Sequence, residues 1–182
     1  MKFILKYFPE ITIKSKPVRK EMSRQLQSNL RKLLRDLDRA IRVTAGWDTV
    51  SVECPSDDED LCQRVVTLLC DTPGIAHCLE VVEYPLGDME TIARQVGSLW
   101  QSRLEGKSFV VRCKRAGEHD FRSNDVESFV GGALLHGGDT GGVDLHEPDV
   151  TVALEIRHDR LYIVNRRHAG LGGFPLGSVD PV

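Results

Sequence analysis

A long helical repeat of apolar residues, from Pro17 to Leu37, constrains the fold of this chain more than any other feature. Apolar side chains recur there every three or four residues, so they share one face of a helix. The repeat consists of Val18, Met22, Leu26, Leu30, Leu33 and Leu37. Lys2 to Phe8, rich in aromatic and branched residues, is typical of a strand that Pro9 stops. The chain therefore begins with a strand and a long amphipathic helix.

Two short strands, a second helix and a third strand follow the long helix. Ser56 and Glu59 have the spacing of a capping box, in which each side chain bonds to the other's backbone, and they predict where the second helix begins. Thr72-Pro73-Gly74 ends that helix. The predicted strands are Ile41–Ala45 and Thr49–Cys54, joined by a turn at Gly46-Trp47-Asp48, and then Ile75–Tyr84. This β-α-β-β-α-β order is the ferredoxin-like motif, and the expected fold class is α+β.

A second domain is expected after Pro85-Leu86-Gly87, where proline and glycine interrupt the strand pattern. Asp88 is placed to cap a third helix. Near the other end of the chain, Gly170 to Gly177 is rich in glycine, but Pro175 opposes the helix that a dinucleotide fingerprint needs. That segment is interpreted as a linker. The predicted domains are residues 1–85, a ferredoxin-like domain, and residues 86–168, an α/β domain, with the linker at 169–182.

A strand, a basic loop and a helix form the centre of the second domain. From Phe109 onward apolar residues alternate with others, and the period of two puts Arg112 and Lys114 on one face of the strand. Asn124 and Glu127 predict a capping box for the helix that follows. The strand therefore places the positive charges of Arg112 and Lys114 on one of its faces.

His119, Phe121 and a cluster of glycines near this helix each allow two interpretations. His119, in the basic loop, is either an RNA contact or a solvated side chain, and Phe121 either stacks on a base or, as we favour, anchors the loop to the core. Six glycines lie between Gly131 and Gly142. They follow the helix and lack the Lys-Ser/Thr of a phosphate-binding loop, so a helix cap and loop is favoured.

Positive charge is concentrated at the start of the chain, although the net charge is −3. Residues 1–50 hold 12 Lys and Arg against 5 Asp and Glu, whereas residues 51–105 hold 3 against 11. Four cations of the long helix fall within a wedge of about 60° on the side away from the apolar stripe. They are Lys20, Arg24, Arg31 and Arg35. This row is either a solvated surface or a site for a polyanion.

No pattern in the sequence indicates a catalytic or metal site. The five cysteines contain no C-x-x-C pair, and the six histidines are scattered. A metal role for His136 and His146, which flank glycine-rich chain, is not favoured. No apolar run approaches the roughly 18 residues of a membrane helix, and the first residues are too charged for a signal peptide, so a cytoplasmic protein is expected.

Several segments together resemble the tRNA 4-thiouridine synthetases, including the THUMP domain of that family. The resemblance extends from end to end in the family's order. It is carried by the opening Met1–Lys16, by Phe109–Gly132, by Pro148-Asp149-Val150-Thr151-Val152 and by Gly170–Gly177. It implies a ferredoxin-like domain at 1–85, a THUMP domain at 86–168 and a linker at 169–182 that leads to a catalytic domain outside this chain.

The resemblance also implies a function. In that family the ferredoxin-like and THUMP domains bind tRNA around its acceptor stem and 3′ end, and an ATP-pyrophosphatase domain activates uridine 8 for sulfur transfer. ATP is therefore expected only in that further domain, and a cysteine desulfurase is the expected sulfur donor of the complete protein. Some members also serve thiamine biosynthesis. This chain is expected to bind tRNA without catalysing thiolation alone.

The candidate RNA-binding residues are the cations of the two basic regions and one histidine. They are Lys20, Arg24, Arg31, Arg35, Arg112, Lys114, Arg115, His119, Arg166 and Arg167. Two alternatives stay open: the THUMP region of another tRNA-modifying enzyme, and a ferredoxin-like module that docks a protein through the acidic segment 51–105. A tight protein complex without affinity for tRNA would favour the second.

Overall fold

The computed structural model describes residues 1–46, 49–56 and 58–178. The chain divides into two compact units: a first unit of Met1–Val81 with Arg166–Val182, and a second unit of Val82–Asn165. Trp47 and Asp48 of the predicted turn, and residues 179–182 of the predicted linker, lie outside the described residues. Among the residues that are described, no helix is long and apolar enough to span a bilayer.

The first unit has the predicted β-α-β-β-α-β order, with one extra short helix. Its strands lie in the order β2-β3-β1-β4, and neighbouring strands are antiparallel. The elements are β1 Lys2–Tyr7, α1 Pro9–Thr12, α2 Lys16–Leu37, β2 Arg42–Ala45, β3 Thr49–Glu53, α3 Glu59–Cys70 and β4 Ile75–Pro85, whose last residues belong to the second unit. The ferredoxin-like prediction for this part of the chain is confirmed.

The long helix α2 buries a row of every fourth residue in the core of the first unit. This row consists of Met22, Leu26, Leu30 and Leu34. Two residues predicted to be buried are exposed instead: Val18 by 39% and Leu33 by 44%. Leu33 lies about 100° around the helix from Leu34, so a core that takes the row ending at Leu34 leaves Leu33 outside.

In the second unit two helices pack with three strands around a single hydrophobic core. Strand β5 is parallel to β6, and β6 is antiparallel to β7. The elements are α4 Met89–Trp100, β5 Phe109–Ala116, α5 Ser123–Gly137, β6 Val150–Arg157 and β7 Arg160–Ala169, whose last residues belong to the first unit. Phe109, Val111 and Cys113 lie in the core, while Arg112 and Lys114 are exposed, so the predicted alternation is confirmed.

Both predicted capping boxes are wrong. The N-cap of α3 is Asp58, whose side chain accepts from two backbone N–H groups of the first turn. Helix α5 begins at Ser123, so Asp125, not Glu127, occupies the position that reaches back, and it accepts from the backbone N of Arg122 at 2.6 Å. Glu127 is thereby free for another role: it accepts from the backbone N of Cys113 at 2.7 Å.

Residues 170–178, here called the returning segment, pack against the earlier part of the first unit. Gly170 and Gly172 donate backbone hydrogen bonds to the carbonyls of Ala76 (2.9 Å) and Ile75 (2.8 Å). The ring of Phe174 meets that of Phe8 edge to face, with centroids 6.1 Å apart. The segment interpreted as a linker is therefore held by specific contacts.

Replacing Gly170 by Ala should destabilise the first unit. An added Cβ would lie 2.2 Å from the carbonyl oxygen of Ile75, so the returning segment would have to move and break its hydrogen bonds. We expect a loss of about 1–3 kcal/mol in the free energy of unfolding, measured by urea denaturation. Gly132→Ala is the control, because a Cβ there meets nothing within 4 Å on a helix that alanine favours. Equal stability of G170A and the parent chain would contradict the packing described.

Candidate nucleic-acid interface

A groove runs between α2 and the edge strand β2 of the first unit. It consists of two hollows, together called the α2 groove. One is lined by the cations Arg31, Lys32, Arg35, Arg39 and Arg42. The other is lined by the cations Lys16, Arg19, Lys20 and Arg24. No Asp or Glu among the described residues lines either hollow.

The buried row of α2 turns these cations toward β2. Arg31 and Arg35 directly follow Leu30 and Leu34, so each lies about 100° around the helix from a buried leucine. Arg31 donates to the carbonyl oxygen of Val43 on β2 at 3.3 Å. The cations lie outside the buried row, as predicted, but on the side next to β2, because that row is centred on Leu30 and Leu34 rather than on Leu33.

The four predicted cations of α2 are all exposed. Lys20 and Arg24 line one hollow, and Arg31 and Arg35 line the other. Within the described parts of the chain, none of the four forms an ion pair with a carboxylate. Their charge is therefore uncompensated by direct neighbours.

Five further cations of the groove were missed by the search for a helical row. They are Lys16, Arg19, Lys32, Arg39 and Arg42. Arg39 and Arg42 follow the helix, so no helical wheel includes them. The excess of cations in residues 1–50 was the signal that could have found them.

The floor of the α2 groove combines apolar side chains in one hollow with polar side chains in the other. Leu34, Ile41 and Val43 contribute apolar surface to one hollow. In the other, the Tyr7 hydroxyl and the Ser23 hydroxyl lie 2.5 Å apart, and the amide of Gln27 donates to Ser23 at 3.1 Å. These polar groups satisfy one another, so they position the floor while the cations above supply the charge.

In the second unit the cations of β5 have different roles. Arg112 donates to the carbonyl of Leu145 at 3.1 Å and lies 3.8 Å from the carboxylate of Glu127. Lys114 is exposed, and no contact with another described residue holds its ammonium group. Arg115 donates to the carbonyl of Gly117 at 3.0 Å and to Nδ1 of His119 at 2.8 Å. Lys114 is thus the available cation, whereas Arg115 shapes the loop.

His119 fixes the basic loop, residues 117–122 between β5 and α5, to the turn between β6 and β7. Because an arginine can only donate, Nδ1 of His119 accepts, and Nε2 therefore carries the proton and donates to the carbonyl of His158 at 2.7 Å. The ring packs on Phe121 with centroids 5.2 Å apart, and Phe121 packs against the core of the second unit. Both ring nitrogens are occupied within the protein.

Arg166 and Arg167 are exposed near the end of β7 and belong to the first unit. As neighbours on a strand, they point to opposite faces. They therefore do not form a single patch with each other.

The glycine-rich loop after α5 is held by backbone contacts. Gly141 donates to the carbonyl of Lys107 at 2.8 Å, and a Cβ on Gly141 would lie 2.6 Å from that carbonyl carbon. Asp149 of the Pro148-Asp149 motif accepts from the backbone N and the hydroxyl of Ser108, both at 2.9 Å. These residues connect chain segments rather than cradle a phosphate. No cluster of three potential metal ligands occurs in the described parts of the chain.

Two family models match this chain. Residues 2–78 match the ThiI ferredoxin-like domain, and residues 87–165 match the THUMP domain. The boundary between the matches falls near the division between the two compact units.

Two relatives of similar sequence are both named tRNA sulfurtransferase. A tRNA sulfurtransferase of Azotobacter vinelandii is 50% identical over 99% of this chain, which covers 37% of that protein. One of Pseudomonas aeruginosa is 48% identical over 100% of this chain and 38% of its own length. The chain therefore spans less than two fifths of these relatives.

Two solved structures share the fold at low identity. PH1313 from Pyrococcus horikoshii has a TM-score of 0.82 at 22% identity, over 98% of this chain and 58% of its own. A 4-thiouridine synthetase in complex with RNA and ATP has a TM-score of 0.74 at 21% identity, over 97% of this chain and 44% of its own. The resemblance drawn from the motifs is confirmed: the chain consists of a ThiI ferredoxin-like domain and a THUMP domain, which it shares with the tRNA sulfurtransferases.

Proposed function

We propose that this chain is the tRNA-recognition part of a tRNA sulfurtransferase that places sulfur on uridine 8. The α2 groove carries the proposal, because five cations line one hollow and four the other without a carboxylate among the described residues. The sequence relatives named tRNA sulfurtransferase support the choice of RNA. A concentrated positive surface attracts a polyanion even when the whole chain is slightly acidic.

The length of the cation row favours a nucleic-acid backbone over a small anion. Lys20 and Arg35 are fifteen residues apart on one helix, which corresponds to about 22 Å at 1.5 Å per residue. A row of that length can contact several successive phosphates, whereas a nucleotide would use only part of it. Contacts to phosphates do not distinguish one base sequence from another, so this surface recognises the shape and the charge of the RNA.

Arginine predominates in the hollow that includes β2. The guanidinium groups of Arg31, Arg35, Arg39 and Arg42 each offer a planar set of donors that matches two oxygens of a phosphate. Arg31 uses Nη2 for the carbonyl of Val43 at 3.3 Å and the side-chain oxygen of Gln27 at 3.5 Å, which leaves its other N–H donors for a phosphate. This hollow is therefore the stronger half of the proposed site.

The second unit contributes through the basic loop. Lys114 is the proposed direct contact, and Arg115 and His119 are positioning residues that hold the loop to Gly117 and His158. Arg112 remains a proposed contact through its exposed side chain, as do Arg166 and Arg167 of the first unit. The acceptor stem and 3′ end of tRNA are the proposed ligand of this unit.

We assign sulfur transfer to the part of the relatives that this chain does not span. ATP and a cysteine desulfurase are proposed to act there, in the cytoplasm where tRNA is modified. The glycine-rich loop of this chain does not fit ATP, because the N–H of Gly141 already donates to Lys107 and the loop lies against that residue. The role of this chain is to bind and orient the RNA.

Replacing both Arg31 and Arg35 by Gln should weaken binding to an unmodified elongator tRNA. Each neutralised phosphate contributes about 0.9 to the slope of log K against log salt, so the slope should become shallower by about 2. Fluorescence anisotropy across a salt series measures both affinity and slope. Arg64→Gln on the exposed face of α3 is the matched control and should bind like the parent chain. An unchanged slope in the double variant would remove the α2 groove from the RNA site.

Lys114 and Arg115 should give separable effects. Lys114→Gln should reduce affinity for an acceptor-stem minihelix while leaving the melting temperature unchanged, because its ammonium group is held by no described residue. Arg115→Gln should lower the melting temperature, since Gly117 and His119 lose their donor. Anisotropy and differential scanning fluorimetry on the two variants test this division. If K114Q melts lower and binds normally, the assignment of roles is incorrect.

A further inference from the structure

Polar side chains form the floor of one hollow of the α2 groove, beneath its four cations. This hollow, here called the Ser23 hollow, encloses about 380 Å³ and is the one lined by Lys16, Arg19, Lys20 and Arg24. Its floor contains Tyr7, Ser23 and Gln27. Tyr7 and Gln27 are 5% and 8% exposed, and Ser23 is half-buried. Cations at a rim bind phosphates without such a floor, so the floor can recognise a second group.

The three floor side chains form a hydrogen-bonded chain. Oε1 of Gln27 accepts from Nη2 of Arg31 at 3.5 Å, which turns the amide nitrogen Nε2 toward Ser23. Nε2 of Gln27 donates to the hydroxyl oxygen of Ser23 at 3.1 Å. That oxygen lies 2.5 Å from the hydroxyl oxygen of Tyr7, and either of the two hydroxyls can be the donor. Ser23 therefore accepts from Gln27, whereas its bond with Tyr7 can run in either direction.

The hydroxyl of Ser23 keeps one hydrogen-bonding position for a ligand. A serine hydroxyl has one O–H donor and two acceptor lone pairs, and within the described part of the chain Gln27 and Tyr7 occupy two of these three positions. When Tyr7 donates, the O–H of Ser23 is left to donate. When Ser23 donates, one of its lone pairs is left to accept. The floor thus presents either a donor or an acceptor to the hollow.

We propose that Ser23 binds the 2′-hydroxyl of one ribose, so that the α2 groove distinguishes RNA from DNA. A 2′-hydroxyl both donates and accepts, so it matches Ser23 whichever way the bond with Tyr7 runs. A phosphate oxygen only accepts and matches one direction, and the C–H of a deoxyribose matches neither. This inference rests on the proposed function and adds to it the recognition of the sugar by a single side chain.

The cations beside Ser23 favour a ribose within a polynucleotide over a neutral sugar. The 2′-hydroxyl and the 3′-phosphate are carried by neighbouring carbons of one ribose, so a sugar whose hydroxyl reaches the floor holds its phosphate near the rim. Lys20 lies one helical turn before Ser23 and Arg24 directly follows it, and both are exposed. A neutral sugar would make no use of these charges.

The second hollow of the α2 groove has an apolar residue beneath its cations instead. Among its described lining residues the buried one is Leu34. Its cations bind phosphates, which RNA and DNA share. Arg35 lines this hollow and takes no part in the chain of hydrogen bonds from Arg31 to Tyr7. Variants at Ser23 and at Arg35 should therefore have different effects on binding.

Fluorescence anisotropy with two forms of one unmodified elongator tRNA tests the proposal. One form carries ribose throughout, and the other carries 2′-fluoro nucleotides, which keep the A-form but cannot donate a hydrogen bond. The parent chain should prefer the ribose form. Ser23→Ala should reduce that preference by about three- to tenfold, the effect of one hydrogen bond. Ser23→Thr keeps a hydroxyl and should retain the preference, whereas Arg35→Gln should weaken binding of both forms equally.

The ratio of the two affinities, compared between parent and variant, is the quantity that decides. Any effect of fluorine elsewhere in the RNA acts on both proteins alike and cancels in this comparison. If S23A keeps the full preference of the parent chain, or if the parent chain binds both forms equally, the proposal is overturned. Should S23A not melt cooperatively, Ser23→Cys replaces it, because a thiol of similar size hydrogen-bonds only weakly.

Failure of the proposed function would look different from failure of this inference. In that case the parent chain would bind neither form of the tRNA, even at low salt, and the assignment of Ser23 would fall with the RNA site. Binding of both forms with a steep salt dependence, but with no loss of preference in S23A, would keep the α2 groove as a phosphate-binding surface and remove only the recognition of ribose.

Discussion

The row of buried residues on α2 determines where the charges of that helix point. Rotating the helix would expose several large apolar side chains, each of which contributes roughly 1.5–3 kcal/mol when buried. The cations that follow Leu30 and Leu34 are therefore held toward β2, and Arg31 adds a hydrogen bond to that strand. The hydrophobic core thus fixes the orientation of an electrostatic surface with which it makes no polar contact.

No carboxylate of the described residues lines the α2 groove, and several acidic residues of the first unit lie instead at the start of α3. Asp58 accepts two backbone N–H groups at the start of α3, and Glu59 and Asp60 follow in the first turn, where the helix dipole favours anions. The acidic segment therefore stabilises a helix terminus and leaves the cations of the groove uncompensated. A net charge near zero for the whole chain conceals this division, which only the positions along the chain reveal.

Periodicity predicted the element order and the alternation along β5, because each depends on a local repeat of side chains. Tertiary packing determined what periodicity could not: whether Leu33 or Leu34 enters the core, and hence which side of α2 carries the cations. The predicted cap of α5 failed for a related reason. The helix begins at Ser123, so Asp125 takes the capping position and Glu127 accepts instead from the backbone N of Cys113 on β5. The groove residues Arg39 and Arg42 lie outside any repeat, and the contacts of His119 join segments distant in sequence.

The first unit is discontinuous in sequence, because residues 166–178 complete it after the second unit has been traversed. On the ribosome, the second unit is therefore synthesised entirely before the first has its last segment. The returning segment donates backbone hydrogen bonds to the carbonyls of Cys70, Ile75 and Ala76. These bonds cannot form until more than eighty further residues have been synthesised, at about 5–20 residues per second. Folding order in this chain is thus imposed by translation: the inserted domain can mature while the domain that encloses it in sequence remains incomplete.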